Sequence, residues 1–257
     1  MVNFRHTGNW PPGAVVVRQS PNLRPLIRQV EELVDAAWTR ALAHPGVQLF
    51  DGPMCRLESS SASTQRLHLN LSRTSYKTFL GTNLSHPELA DRYGPPVLAN
   101  PVGVSALLET VDGFLLLGRR NAAVAYYPER VHPFAGALEP RDADDVFAAV
   151  RRELAEELSL AAQQVPELAC AGLVEDRALR QPELIFLART TLARPDIESK
   201  LDRAEHRGTF AIEATPDAVE RAITDPSLTP VAVASLLLWG RGKARFGDAW
   251  FRRYVPT

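Results

Sequence analysis

Apolar residues recur every three or four positions between residues 26 and 43. They fall at Leu26, Val30, Leu33, Ala37 and Ala41. This spacing places them on one face of an α-helix, and a proline at position 25 stands near its start, where proline is tolerated. The pattern predicts a first helix over residues 26–43.

The next segment alternates between polar and apolar positions. Cys55 and Leu57 alternate with Met54, Arg56 and Glu58, and leucines at positions 67, 69 and 71 are separated by polar residues. A period of two is typical of half-buried strands, and the serine-rich stretch 59–63 between them has loop composition. The segment therefore predicts a hairpin, which forms a small α+β module with the first helix.

A Gly-Pro-Pro break at residues 94–96 precedes a change of pattern. Apolar stretches at 102–110 and 114–118 flank the turn Asp112-Gly113, which predicts a second hairpin. The break places a boundary between an N-terminal α+β region, residues 1–97, and a second domain, residues 98–257. Within the second domain the pattern predicts a helix at 145–158, strands near 169–174, 184–190 and 209–212, and C-terminal helices.

Composition removes several classes of function. The chain has 257 residues, 29 basic and 30 acidic, so its formal net charge is 29 − 30 = −1, which excludes the basic surface of a general nucleic-acid binder. Cys55 and Cys170 are isolated in the sequence, which predicts no disulfide framework or zinc ribbon and favours a reducing compartment. The sequence shows no signal peptide or membrane span, so we expect a soluble, cytoplasmic protein without a membrane or nucleic-acid partner.

Three glutamates on the helix at 145–158 are the strongest chemical signal. Glu153, Glu156 and Glu157 stand at i, i+3 and i+4, so their Cβ atoms lie roughly 5–6 Å apart on one face. Asp144 is placed as the N-cap of this helix. Glutamate-rich faces are often merely solvated, but repelling carboxylates this close also suit a hard divalent cation.

The surrounding residues resemble the Nudix box, in which a glycine loop leads into a helix reading Arg-Glu-apolar-x-Glu-Glu. The matching residues are Arg152, Glu153, Leu154, Glu156, Glu157 and Leu160, with Asp144 in place of an upstream glutamate. Two positions depart from the family pattern. Gly136 comes two residues early, and Ser159 replaces the glycine that follows the paired acids.

Three further strings resemble the Nudix branch of UDP-glucose and UDP-galactose diphosphatases. They are residues 74–83, residues 100–104 and the Gly-x-x-Glu-Pro string at 136–140. The resemblance implies an α/β Nudix fold, a mixed sheet between helices, with an N-terminal α+β extension that contributes to nucleotide binding. It also implies hydrolysis of a UDP-sugar to UMP and a sugar 1-phosphate, with Mg²⁺ or Mn²⁺ as cofactor.

The resemblance assigns roles to individual residues. Glu153 and Glu157 would ligate the metal, Glu156 would ligate or support it, and Arg152 would orient an acid by pairing. A backbone carbonyl of Ala135 or Gly136 would complete the metal shell.

The family also uses an acid from outside the box, as a metal ligand or as the base that activates water. Glu205 is the first candidate and Glu183 the second, and each has the alternative of a surface carboxylate at a strand end. Glu139, in the Gly-x-x-Glu-Pro string, is a third acid that we expect near the substrate.

Residues that could contact the substrate are less specific. Arg119 and Arg120 end a predicted strand, where a guanidinium could clamp phosphate. Tyr76 could stack on uracil, and Lys77 or Asn83 could bond phosphate or sugar, whereas the alternative makes Tyr76 and Phe79 core residues that join the two regions. The histidines at positions 68, 132 and 206 lack metal-ligand spacing and are interpreted as structural or surface residues.

Three other functions stay open at this point. The chain could be a Nudix hydrolase of another diphosphate such as ADP-ribose, a nucleotide sensor without turnover, or a scaffold with an incidental acidic face. The intact glutamate set favours a catalyst over a sensor. The sequence makes no prediction of oligomeric state.

Overall fold

Two sheets organise the chain, for which a computed structural model describes residues 2–44, 49–242 and 246–255. The strands are β1 Val2–Trp10, β2 Val15–Leu23, β3 Pro53–Ala62, β4 Leu67–Ser75, β5 Gly103–Glu109, β6 Phe114–Arg120, β7 Val131–His132, β8 Phe134–Ala137, β9 Glu167–Asp176, β10 Gln181–Arg189 and β11 His206–Glu213. The α-helices are α1 Arg28–Leu42, α2 Tyr76–Phe79, α3 Leu89–Tyr93, α4 Val146–Leu158, α5 Arg194–Glu198, α6 Pro216–Ala222, α7 Pro230–Gly242 and α8 Gly247–Tyr254.

The larger sheet has the order β1-β9-β10-β5-β6-β11, with β7 paired to β6 and β8 to β5. It is mixed, because β10 and β5 run parallel while the other pairs are antiparallel. Apolar residues of α4 pack on one face of this sheet and those of α6, α7 and α8 on the other. The predicted mixed sheet between helices is therefore confirmed.

The smaller sheet has the order β2-β4-β3 and shares the core on the α4 side of the larger sheet. Leu57, Leu67, Leu69 and Leu71 belong to one buried cluster with Val104 of β5. These are the alternating apolar positions of the predicted hairpin, which is confirmed. The predicted serine loop is wrong in place, because residues 59–62 continue β3 and pair with β4 up to Leu67, which leaves the turn to residues 63–66.

The first 25 residues, which carry no strong periodicity, form strands in both sheets. Residues of β1 pair antiparallel with β9 at the edge of the larger sheet, and β2 pairs parallel with β4. Residues 2–10 thus lie in the same sheet as β5 to β11, although the sequence break is at 94–96. The division at residue 97 remains a prediction.

The N-terminal region is joined to the second half of the chain by residues of the string at 74–83. Directly after α2 a π-helical turn spans Leu80–Leu84, and α1 packs against it. Phe79 is buried with Met54, Ala99 and the partly buried Tyr126. This favours the core alternative for Phe79.

No helix in the described ranges has both the length and the apolar character that crossing a bilayer requires. Cys55 and Cys170 are free and buried, in agreement with the predicted lack of a disulfide.

The close approach of α1 to the π-helical turn depends on Gly81. A Cβ built at this glycine would lie 2.6 Å from the Cα of Val34, which is backbone and cannot turn away. We predict that Gly81→Ala lowers the free energy of unfolding by about 1–3 kcal/mol, because the added methyl group overpacks the contact. Urea denaturation measures the change.

Gly52→Ala is the matched control. The nearest atom to a Cβ at Gly52 is 3.6 Å away, which is ordinary contact, so stability should change by less than about 0.5 kcal/mol. Equal effects of the two substitutions would contradict the prediction.

Candidate active site

The acidic helix α4 begins one residue later than the sequence suggests. The side chain of Asp145 accepts hydrogen bonds from the N–H groups of Phe147 and Ala148, at 3.0 and 3.1 Å, and is the N-cap. The prediction of Asp144 as N-cap is wrong, since that residue is exposed and makes no cap bond. At the other end Ser159 adopts the left-handed conformation, with φ of 53°, that a glycine usually takes after a helix. Serine thus ends the helix in the same geometry as the expected glycine.

The three glutamates do not share one environment. Glu153 and Glu157 are buried, with 8% and 3% of their surface exposed, whereas the side chain of Glu156 is 59% exposed. The i, i+4 pair therefore faces β8 and Glu156 faces solvent. A cation between strand and helix would meet the first two directly.

Because Gly136 of β8 has no side chain, the carboxylate of Glu153 can occupy the space beside it. A Cβ at this position would lie 2.2 Å from Cδ of Glu153, so any other residue would push the carboxylate away. The next contact is made by Ala135, whose N–H donates to Oε1 of Glu157 at 3.1 Å. The early position of Gly136 in the sequence is thus compatible with a glycine facing the acids. Ligation by a carbonyl of Ala135 or Gly136 remains a prediction.

The start of β11 brings two more groups to Glu157. Nε2 of His206 lies 2.8 Å from Oε2 of Glu157, and both residues are buried. Glu205 precedes it, and ligand atoms of Glu157, Glu205 and His206 all lie within 4.8 Å of one another. The structure therefore brings the predicted outside acid Glu205 to the box.

The contact of His206 with Glu157 is not evident from the sequence, because it depends on the pairing of β11 with β6. Its ring packs edge-on to Phe134 and fills the space left by Gly118, where a Cβ would be 2.4 Å from Nδ1. The sequence feature that points to His206 is its position directly after Glu205, at the start of a strand that contains Gly208.

Arg152 pairs with acids on both sides of it. Its guanidinium lies 2.9 Å from Asp142, 2.9 Å from Glu153 and 3.2 Å from Glu156. This is the geometry needed to orient Glu153. Asp142, rather than the predicted Asp144, is the upstream acid that contacts the box.

The buried carboxyls have perturbed acidity. Burial raises the pKa of Glu153 to about 7 against the opposing effect of Arg152, and the neighbouring acids Glu157, Glu156 and Glu205 raise it further. Burial also raises the pKa of Glu157, while the hydrogen bond from His206 lowers it. Carboxylate oxygens converging from α4 and the start of β11 suit a hard divalent cation, whose charge would favour their ionised forms. The residues present thus fit Mg²⁺ or Mn²⁺.

The predicted substrate residues of the N-terminal region have partners within the chain. Tyr76 is half-buried and packs edge-on to Trp38 at 6.2 Å, and Nζ of Lys77 lies 2.6 Å from Asp35. Asn83 is fully buried, and its amide bonds the carbonyl of Leu179 at 2.8 Å. Because this amide joins the π-helical turn to the β9–β10 connection, we correct its interpretation from ligand contact to structural contact.

The remaining candidates lie in different places. The guanidinium of Arg119 covers the ring of Phe210, 4.8 Å from its centroid, and Glu139 pairs with Arg141 at 3.1 Å. Arg120 lies over Tyr126, also at 4.8 Å. Glu183 is buried beside His132 and is not part of the acidic group around Glu157. Of the two candidate acids from outside the Nudix box, Glu205 and Glu183, only Glu205 lies beside Glu157.

The chain is similar to several known proteins. The family model described as the NUDIX domain matches residues 99–226. The uridine diphosphate glucose pyrophosphatase NUDT22 of Mus musculus is 29% identical over 248 residues, covering 82% of this chain and 80% of that protein. The human protein of that name is 35% identical over 161 residues, covering 51% of this chain and 52% of that protein. A solved MutT protein from Methanosarcina mazei Go1 is 17% identical with a TM-score of 0.41, covering 55% of this chain and 93% of that one.

The chain carries a NUDIX domain at residues 99–226. It is a Nudix pyrophosphatase hydrolase. The relatives carry the name of the branch that the strings at 74–83 and 136–140 resemble, and that resemblance is confirmed.

The raised pKa of Glu153 predicts a pH dependence of stability. A carboxyl whose pKa is higher in the folded than in the unfolded state stabilises the fold below the unfolded value, and that stability is lost as the pH rises through the folded value. Without divalent ions, the free energy of unfolding should therefore fall between pH 4.5 and about 7, by on the order of 2 kcal/mol from this group. Urea denaturation across this range measures it.

Glu153→Gln should remove this part of the pH dependence, and saturating Mg²⁺ should flatten it in the unaltered protein. Glu167→Gln, at an exposed position on β9, is the control that should leave the profile unchanged. An identical profile in Glu153→Gln would show that the carboxyl does not titrate as described.

Proposed function

We propose that this protein hydrolyses the diphosphate of a UDP-sugar, such as UDP-glucose or UDP-galactose, to UMP and a sugar 1-phosphate, with Mg²⁺ or Mn²⁺. The observation that carries the chemistry is the buried pair Glu153 and Glu157, facing Gly136 and joined by Glu205. The names of the curated relatives support the UDP-sugar as substrate class. The N-terminal region would contribute to nucleotide binding, as the sequence predicts.

Glu153 and Glu157 would hold the metal, and Glu205 would contribute a further carboxylate from the start of β11. When bound, the divalent ion neutralises charge on the diphosphate and assists attack by water. His206 and the N–H of Ala135 hold the two oxygens of Glu157, while Arg152 holds Glu153. These contacts fix the carboxylates in place before substrate arrives, which reduces the reorganisation needed during reaction.

Glu205 is the best placed of the candidate acids to accept a proton from the attacking water. It is exposed, so solvent and substrate can reach it, and a carboxylate oxygen of Glu205 lies within 4.8 Å of one of Glu157. A base must be within hydrogen-bond reach of the water it activates, and no such access exists for the buried Glu183 on the other face of the sheet. We therefore propose Glu205 as general base or additional metal ligand.

The first experiment is product analysis by chromatography after incubation with UDP-glucose and Mg²⁺. We expect UMP and glucose 1-phosphate, and we expect Glu157→Gln to reduce kcat/KM by about 10²-fold or more, since a metal contributes several kcal/mol to the transition state. Glu156→Gln should lose much less because its side chain faces solvent. Glu31→Gln on α1 is the surface control.

ADP-ribose and dinucleoside polyphosphates tested in parallel decide the substrate class. Cleavage of one of these with no UMP from UDP-glucose would replace the UDP-sugar proposal and keep the chemistry. Binding of nucleotide and metal with no product from any of them would indicate a sensor.

A separate prediction concerns the base. Glu205→Gln should lower kcat by roughly 10²-fold or more with little change in KM, because a positioned base acts on the chemical step. Glu213→Gln, at the other end of β11 and also exposed, is the control. Unchanged kcat in Glu205→Gln would exclude Glu205 as base.

A further inference from the structure

Three consecutive backbone carbonyl groups in the turn before β11 accept hydrogen bonds from one residue, Asn121. Nδ2 of its side chain donates to the carbonyl of Arg203 at 2.9 Å and to that of Ala204 at 2.8 Å. Its backbone N–H donates to the carbonyl of Glu205, also at 2.9 Å. A side-chain amide has two N–H donors, so one amide can satisfy two carbonyls of the turn. Asn121 thus holds the stretch of backbone that carries Glu205.

The sheet fixes the place of Asn121 itself. It directly follows Arg120, the last residue of β6, which pairs with His206 of β11. The N–H of Arg120 also donates to the carbonyl of Arg130 at 2.9 Å, on the chain segment that leads into β7. Two neighbouring segments therefore hold the end of β6, and the side chain of Asn121 leaves this fixed point towards the turn.

Hydrogen bonds, rather than packing, set the shape of this turn. The side chains of residues 203–205 are all exposed and add nothing to the core. A segment without buried apolar contacts opens locally at little cost unless its backbone is tied down. The N–H of Asp202 donates to the carbonyl of Glu157 at 2.8 Å, which ties the start of the turn to α4. Asn121 ties the rest of the turn to β6.

The carboxylate of Glu205 differs from the buried pair in having no side-chain partner to hold it. Arg152 pairs with Glu153, and His206 bonds Glu157. Within the described part of the chain, the carboxylate of Glu205 makes no hydrogen bond or ion pair. Its position therefore follows from the backbone of the turn.

We propose that Asn121 is a positioning residue for Glu205. By holding the carbonyls of the turn, it keeps an oxygen of the exposed Glu205 within 4.8 Å of one of Glu157, where that oxygen can meet the metal or the attacking water. Displacing a reacting group by about 1 Å can cost roughly 10²-fold in rate. The inference rests on the proposed function for the role of Glu205.

The test is a double-mutant cycle of Asn121→Ala and Glu205→Gln in the full chain. It follows two quantities: kcat for UDP-glucose with Mg²⁺, and affinity for Mn²⁺ without nucleotide, measured by electron paramagnetic resonance. Whichever of these Glu205→Gln lowers, Asn121→Ala should lower about tenfold or more, with KM changed less than about twofold. In the Glu205→Gln background, Asn121→Ala should change it less than about twofold, because no carboxylate is left to position.

Asn70→Ala is the matched control. The same substitution there removes an exposed amide that donates to Ser59 at 2.7 Å in the smaller sheet. It should leave kcat and Mn²⁺ affinity unchanged. Asn121→Ser is the second variant, since it keeps a hydroxyl donor on a side chain one atom shorter. It should couple to Glu205→Gln in the same way, and it decides the question if Asn121→Ala does not fold by circular dichroism.

The outcomes separate this inference from the proposed function. An effect of Asn121→Ala that vanishes in the Glu205→Gln background supports the inference, and the Mn²⁺ measurement shows it even if UDP-glucose is not hydrolysed. Equal effects in both backgrounds overturn the inference, because Asn121 would then act independently of Glu205. It is also overturned if either single substitution changes neither quantity. Hydrolysis of UDP-glucose by the unaltered protein in these last cases leaves the proposed function standing.

Discussion

Burial of two like-charged carboxylates on adjacent turns of one helix is the constraint on which the site depends. Glu153 and Glu157 are held between α4 and β8 at the cost of raised pKa values. Neighbouring residues reduce the cost of burying these carboxylates. Gly136 has no side chain and so leaves space for Glu153, while Arg152 pairs with Glu153 and His206 with Glu157. Because a buried charge is costly unless it is paired, a divalent cation between the two carboxylates would offset part of this cost.

The larger sheet separates two kinds of polar group at the same end. The acids lie on the α4 face, where their carboxylates suit a divalent cation. His132 and Glu183 are buried against each other beside Gly103, with Nε2 and Oε1 3.6 Å apart. Strand pairing holds the two groups in register, because β5 contacts both β8 and β10.

The N-terminal strands and helix complete this scaffold. The smaller sheet adds its leucines to the core under α4, while β1 extends the edge of the larger sheet. Gly81 lets α1 approach the π-helical turn, and Asn83 joins that turn to the β9–β10 connection. The string at 74–83 therefore acts, in this arrangement, mainly by positioning the N-terminal region against the Nudix domain.

The sequence by itself determined α1, the β3–β4 hairpin and the acidic helix, but not β1 and β2, because apolar periodicity and the i, i+4 spacing of Glu153 and Glu157 are properties of consecutive residues. It also supplied Glu205 and the family resemblance. The sequence placed the N-cap incorrectly, because Asp144 and Asp145 are adjacent residues of the same type. It placed the serine loop incorrectly, because serine occurs both in turns and in edge strands. Only the tertiary structure decided that His206 bonds Glu157, that Glu183 lies away from the acids and that Asn83 is a buried structural residue. Those contacts join residues 49 or more positions apart, and strand pairing, which local patterns do not encode, brings them together.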